Sequence, residues 1–320
     1  MQEASVKEQA KTPGSRFSHG LPGKDDGQML FLAHVASKLM PAGENGSGGR
    51  GAVVSNGSPL FTGNPGSGPD RIRAWLLEND LVDAVIQLPT GMFYGTGIST
   101  YIWILDTNKE KHRKGFVQLI DASECWQLTD KTLGFKRREM NAADRAKVLS
   151  AYNAFEDSDI SRILTAEDLS FKNVRVSRQA RLRVEVTQEA IDEVLKSKKA
   201  IAAHADVMRD IDGVEFNNLT DEIKKAAQER GVKILSDVID RIIKNVGVPD
   251  ETKELAFDRK GNPIPDKTFS FTERVAMSED IAEHMQRDVL PFADDLMWDA
   301  SSAVIGYEIP FKKIFYKPEP

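Results

Sequence analysis

Phe93 and Tyr94 stand side by side in a segment that reads LPTGMFYGTGISTYIWIL over residues 88–105. The order is a β-rich run, a Pro-Thr-Gly turn, the aromatic pair, a glycine-flanked loop and a hydrophobic strand that begins Ser-Thr. Two rings on a loop need a use: a surface that stacks on something, or core residues that close the end of a sheet. Other residues could handle phosphate. TGNPGSGPDR (residues 62–71) precedes a helix whose first amides could cradle an anion. It lacks the Gly-Lys-Ser/Thr of a nucleotide-binding loop, so a plain flexible loop competes with that use. Lys109, Lys111, His112, Arg113 and Lys114 crowd one polar turn, which could lie over a phosphate backbone or form a solvated hairpin tip. KRRE (residues 136–139), with Lys136, Arg137 and Arg138, carries the same two readings.

Metal and thiol chemistry find little support. The five histidines are scattered with no pair at ligand spacing. His34 reads as a core or surface residue of a helix. A single cysteine, Cys125, excludes an internal disulfide and a cysteine zinc cage. No histidine or acid is arranged around it as in a nucleophilic site, so it reads as buried or inert.

These residues must be held by elements that the hydrophobic pattern outlines. GQMLFLAHVASKLM reads as a helix, with Asp25 and Asp26 to cap its free amides and Pro41 to stop it. GAVVSN (residues 51–56) has the form of a buried strand after a glycine-rich linker (residues 43–51). PDRIRAWLLEND places Ile72, Trp75 and Leu76 at helical spacing, with Pro69 and Asp70 suited to the first turn. DAVIQLP, STYIWILDT and GFVQLIDA complete a set of four strands. Helix and strand alternate at short spacing up to residue 122, the pattern of an α/β sheet. Beyond it the pattern is mostly helical, with one alternating run, NVRVSRQARLRVEV. Asn141 and Asp144 resemble a capping pair. Residues 187–245 hold two long helical patterns, and DRKGNPIPD is a turn. The expected division is 1–122 and 123–320.

At 320 residues, with 40% hydrophobic and 29% charged residues, the chain can bury a sizeable core, and its composition is that of an ordinary globular protein, which argues against wholesale disorder. A net charge of −6 argues against a coat of basic residues, though a local basic face can still meet DNA. No apolar run approaches a membrane span, and residues 1–17 lack the apolar core of a signal peptide. A cytoplasmic protein with no membrane contact is expected.

Residues 55–122 resemble the modification subunit of type I restriction-modification systems, an N6-adenine DNA methyltransferase. The resemblance rests on SNGSPLFTG and on RAWLLENDLVDAVIQLPTGMFYGTGISTYIWIL. It extends through GSRFSHGLPGKDDGQMLFLAHVASKLM, GFVQLIDASECW, LGFKRREM and the final RDVLPFADDLMWD and IGYEIPFKKIFY, and is loosest over residues 187–253. It implies the second half of a Rossmann-like methyltransferase sheet, followed by a mostly helical C-terminal region, with STYIWIL as an antiparallel strand inserted between its neighbours. It also implies a use for the aromatic pair. Methylating an adenine inside a duplex requires flipping it from the stack, and the flipped base needs an aromatic platform. Phe93 is the candidate and Tyr94 the second, in a loop completed by Thr90, Gly91, Gly95, Gly97, Ser99 and Thr100.

Departures from the family pattern matter as much. The family's S-adenosylmethionine site needs a glycine-rich turn after its first strand, and its catalytic motif is Asn-Pro-Pro-Phe. This chain has no adjacent prolines and no Gly-x-Gly turn after an early strand. The sequence is expected to begin just downstream of that motif and to stop where a helical tail follows in the family. KTFSFTERVAMSEDI departs from the acidic, arginine-containing stretch usual there. No complete catalytic set is therefore read in this chain, which is expected to be inactive alone and not to bind S-adenosylmethionine by itself. Its expected partners are double-stranded DNA, specificity and restriction subunits, and a separate N-terminal methyltransferase fragment. Half a sheet exposes an unpaired edge, which predicts a complementing chain, self-association or marginal stability. Two competing readings are a non-enzymatic DNA and subunit interaction module built on residues 187–245, and a small-molecule enzyme using residues 62–71.

Overall fold

A computed structural model describes residues 4–24, 26–43, 47–293 and 295–316. Two compact units divide the chain: Met1–Asn173, Arg274–Asp280 and Ala303–Pro320 form the first, and Val174–Glu273 with Ile281–Ser302 form the second.

The first unit begins with α1 (Ala4–Lys11) and α2 (Gln28–Lys38). Asp26 Oδ1 accepts the Gln28 amide at 3.1 Å, as expected of a residue that starts a helix; Asp25 lies outside the described residues. Next come β1 (Arg50–Asn56), α3 (Ser58–Phe61), α4 (Gly68–Glu78), β2 (Val82–Gln87), β3 (Thr100–Asp106) and β4 (Phe116–Asp121). A hairpin of β5 (Gln127–Leu133) and β6 (Lys136–Glu139) follows, then α5 (Ala142–Ala154) and β7 (Ser161–Thr165). Asn141 and Asp144 form the expected capping box on α5.

The main sheet has the order β1-β3-β2-β4-β7. β3 pairs antiparallel with both β1 and β2, so it is the inserted antiparallel strand, while β2 and β4 run parallel. β2 is buried on both faces, which is why its sequence is a near-continuous apolar run. Trp103, Leu105, Val85 and Leu119 face Leu32 of α2 and Ile72 and Leu76 of α4. On the other face Ile86 and Ile120 join Cys125 and Val148 of α5. Burial also raises the Cys125 thiol above its usual range.

Two local expectations are corrected. β1 was expected to be buried, but it is an edge strand of the main sheet, and Val54 is 54% exposed. Helix α2 approaches one side of it so closely that a Cβ on Gly51 would lie 2.7 Å from Val35 Cγ1. The polar segment between β3 and β4 is not a hairpin tip, because β2 lies between those strands; it is a crossover containing a short 3₁₀ turn, Lys111–Arg113.

The chain then runs through β8 (Ser170–Gln179) and β9 (Leu182–Val184) to four helices: α6 (Gln188–Leu195), α7 (Ala203–Asp210), α8 (Leu219–Glu229) and α9 (Ser236–Val246). Four short helices replace the two long ones expected. Gly213 and Gly231, at φ of 75° and 62°, turn the chain just beyond α7 and α8. Their apolar faces meet in a second core around Val194, Val207, Met208, Ile223, Val238 and Ile242. β10 (Gly247–Pro249) pairs with β9. Asp258 caps the expected turn by accepting the amides of Lys260 and Asn262, both at 2.8 Å. β11 (Pro265–Ala276), α10 (Ile281–His284), β12 (Leu296–Tyr307) and α11 (Phe311–Ile314) close the chain, and a three-stranded sheet has the order β11-β8-β12. This is more strand than one alternating run suggests. β11 is rich in Ser, Thr and charged residues, and β12 sets its apolar residues on either side of a polar centre (Asp299, Ser301, Ser302), so neither carries a sustained apolar alternation.

Candidate nucleic-acid interface

The loop of residues 88–99 leaves the carboxyl end of β2, and the β5–β6 hairpin follows the carboxyl end of β4. Because β2 and β4 are parallel, both emerge at one end of the sheet, where open α/β sheets bind their ligands. The hairpin fastens the loop. Gly91 O accepts the amides of Arg137 and Arg138 at 2.8 and 3.1 Å, and Tyr94 O accepts the Phe135 amide at 3.0 Å. The Arg138 guanidinium donates to Thr90 Oγ1 at 2.9 Å and lies 3.8 Å over the Trp126 ring. Gly91, at φ 69°, makes the turn that the Pro-Thr-Gly sequence suggested. Gly134 sits at φ 57°, and a Cβ there would stand 2.7 Å from Tyr94 O.

Held this way, the aromatic pair faces outward: Phe93 is 37% exposed and Tyr94 72%. Gly95 and Gly97 are exposed, Thr90, Gly91 and Ser99 are half-buried, and Thr100 is buried at the start of β3. Ile98, Leu128, Leu133 and Phe135 add exposed apolar surface on the same two segments. Arg137 is exposed beside them, and Lys136 and Arg138 are half-buried. Residues 90–97 and 136–138, read separately in the sequence, thus form one surface.

The second basic group lies elsewhere and differs from expectation. Lys109, Lys111, Arg113 and Lys114 precede the amino end of β4. Lys111 and Lys114 are exposed, but Lys109 and Arg113 are 3% and 5% exposed and so cannot reach a phosphate backbone. Lys109 Nζ donates to Asp80 Oδ1 at 2.5 Å and to Phe116 O at 2.7 Å. Arg113 forms a fork on Asp83, at 2.8 and 3.2 Å, between the rings of Tyr152 and Phe155. The reason is the acid in the apolar strand VDAVIQ. A carboxylate buried there requires a paired cation, and Arg113 supplies it. Tyr152 also donates to Asp83, and burial followed by that contact pushes the phenol up to about 12. The acid inside an apolar run was the available signal for this cluster.

A similar buried pair answers the phosphate-loop reading. Asp70 Oδ2 accepts the Gly66 amide at 2.8 Å, and Oδ1 accepts the Tyr307 amide at 2.8 Å. The loop of residues 62–71 therefore directs an amide at its own carboxylate, which would repel an incoming phosphate. Arg73, buried beside Asp70, donates to Pro59 O at 2.9 Å, and burial lowers its guanidinium to about 10. Among the described residues no three His, Cys, Asp or Glu side chains are grouped to hold a metal, and no helix is long and apolar enough to cross a membrane.

Comparison with known proteins agrees with the residue-level resemblance. The family model for N-6 DNA methylases matches residues 3–193, more than half of the chain. The HindI type I restriction enzyme methylase subunit of Haemophilus influenzae is 32% identical over 145 residues, 45% of this chain and 29% of that protein. The MjaVII methylase subunit of Methanocaldococcus jannaschii is 30% identical over 120 residues, 37% of this chain and 20% of that protein. The chain thus spans less than a third of the length of these two relatives. A solved type I restriction-modification methyltransferase subunit from Streptococcus thermophilus is 30% identical, covering 51% of this chain and 31% of that one, with a TM-score of 0.42. The expected fold class, α/β with a Rossmann-like methyltransferase sheet, is borne out by the mixed sheet and its helices, while the C-terminal region expected to be mostly helical also carries β8 to β12. By the extent of the family match, this chain belongs to the N-6 DNA methylase family.

Proposed function

We propose that this chain is the part of an adenine-N6 DNA methyltransferase, the modification subunit of a type I restriction-modification system, that supplies the target-base loop and assembly surfaces. The observation that carries this reading is the outward-facing Phe93 and Tyr94, held at the carboxyl ends of β2 and β4 by a hairpin that also carries basic residues. A base flipped from a duplex needs an aromatic face, and its strand needs cations nearby. Phe93 is the stacking residue and Tyr94 the second. Lys136, Arg137 and Arg138 lie toward the DNA backbone, so a chain of net charge −6 meets DNA through a local basic edge.

S-adenosylmethionine is the methyl donor implied by the family, and the described residues do not fit it. The turn after β1 satisfies its own polar groups: Gln28 Oε1 accepts the Asn56 amide at 2.7 Å and Asn56 Oδ1 accepts the Ser58 amide at 2.8 Å. With no Gly-x-Gly turn there and no Asn-Pro-Pro-Phe motif, the donor and the catalytic motif come from elsewhere in the complete enzyme. The partners are then duplex DNA, specificity and restriction subunits, and the polypeptide that carries the cofactor half.

Calorimetric titration of the purified chain with S-adenosylmethionine tests this division. No saturable heat is expected, and binding near one equivalent would overturn it. In an enzyme reconstituted with the cofactor half, Phe93→Ala should lower methyl transfer about 5- to 150-fold, the rate equivalent of about 1–3 kcal/mol of stacking. Unchanged transfer would remove Phe93 from the role.

A further inference from the structure

One segment of the second unit serves neither the sheet core nor the proposed DNA surface. β11 is an edge strand, and at its centre Thr268, Phe269, Ser270, Phe271 and Thr272 are all exposed. An edge strand ordinarily buries alternate residues, and its open side is blunted by proline, charge or a bulge. The sequence TFSFT has none of these at the centre of a 12-residue strand. Phe269 and Phe271 lie on the same face of the strand, with ring centroids 6.1 Å apart and planes at 78°. They remain 44% and 36% exposed, although the Arg178 guanidinium lies 5.6 Å from the Phe269 centroid.

The order of residues says what fits this edge. TFSFT reads the same in both directions. Laid antiparallel on a second copy about Ser270, it places Phe269 opposite Phe271 of the second copy, Thr268 opposite Thr272, and Ser270 opposite Ser270. The match continues outward in the sequence, where Asp266 falls opposite Arg274 of the second copy, an acid against a base. Cross-strand aromatic pairs and opposite charges favour antiparallel pairing, and a two-fold axis makes such a contact self-complementary. We infer that β11 is a homodimerisation edge, pairing antiparallel with β11 of a second copy of this chain about Ser270. The inference is independent of the DNA-binding reading.

Sedimentation of the complete chain, wild type and two double variants, tests it. Phe269→Lys with Phe271→Glu sets opposite introduced charges against each other across the two-fold axis; Phe269→Lys with Phe271→Lys sets like charges there. Both remove the same intrachain ring contact, so a difference between them reports on the register. The expected result is a concentration-dependent dimer for the wild type and the Lys/Glu pair, with the dimer lost in the Lys/Lys pair. A wild-type monomer throughout the micromolar range would overturn the inference. So would dimers in all three proteins, or loss of the dimer in both double variants. Hydrogen exchange on the unsubstituted chain gives a second readout: amides of residues 268–272 should gain protection as concentration rises, and concentration-independent exchange there would contradict the pairing.

Discussion

Phe93 illustrates how a ring can be spent outside a core. It is held by main-chain bonds of its loop to the β5–β6 hairpin, so truncating it removes a stacking surface and little packing. Phe93→Ala should leave the thermal midpoint of the chain nearly unchanged while lowering methyl transfer in a reconstituted enzyme. Asp83 behaves oppositely. Its carboxylate is buried against Arg113, and Asp83→Ala would leave that guanidinium without its counterion. A loss of about 3–5 kcal/mol in unfolding free energy is expected by denaturant titration, with a loss below 1 kcal/mol contradicting the assignment. Tyr152 adds a pH dependence to this cluster. Its folded pKa is raised above its ordinary value of 10.0 to about 12, so its contribution to stability is complete below pH 10 and is lost as pH rises through about 12. Tyr152→Phe should flatten the stability profile in that window. The aromatic pair was legible because glycines bracket it. The burial of Lys109 and Arg113 was not legible in their own polar turn; for Arg113 the signal lay in its partner, Asp83, an acid inside the apolar run of β2.

The β5–β6 hairpin converts that loop into a surface. Its fit depends on Gly134, whose left-handed backbone and lack of a Cβ let the hairpin tip lie against Tyr94. Gly134→Val should therefore loosen the loop and weaken DNA binding while leaving the buried sheet intact. Hydrogen exchange would show faster exchange at the amides of Phe135 and Arg137, with β2 unchanged. Unaltered exchange at those amides would mean that the hairpin does not hold the loop. β2, β3, β4, α4 and the Asn141 cap were readable, since each combines an apolar period with a turn or cap residue. β5, β6 and β11 were not, because their stability comes from cross-strand pairing with distant residues, which no short window contains.

Across the whole chain, charge and core formation depend on residues far apart in sequence. Ile309 and Phe311 enter the same core as Trp103, an association that local periodicity does not register. A net charge of −6 likewise hides the basic edge beside Phe93. If that edge follows the DNA backbone, neutralising Lys136 and Arg137 should weaken binding alike for every sequence. Each substitution should also reduce the slope of log affinity against log salt by about 1. Single-stranded DNA separates the backbone and base contributions in one titration, because its bases are already free to stack. The chain should therefore be titrated into a single-stranded oligonucleotide carrying the fluorescent adenine analogue 2-aminopurine. Binding should quench the fluorescence as the base stacks on Phe93, and Phe93→Ala with Tyr94→Ala should abolish the quench while salt-dependent binding persists. Binding without any quench, or a quench untouched by removing both rings, would contradict a target-base role for this loop.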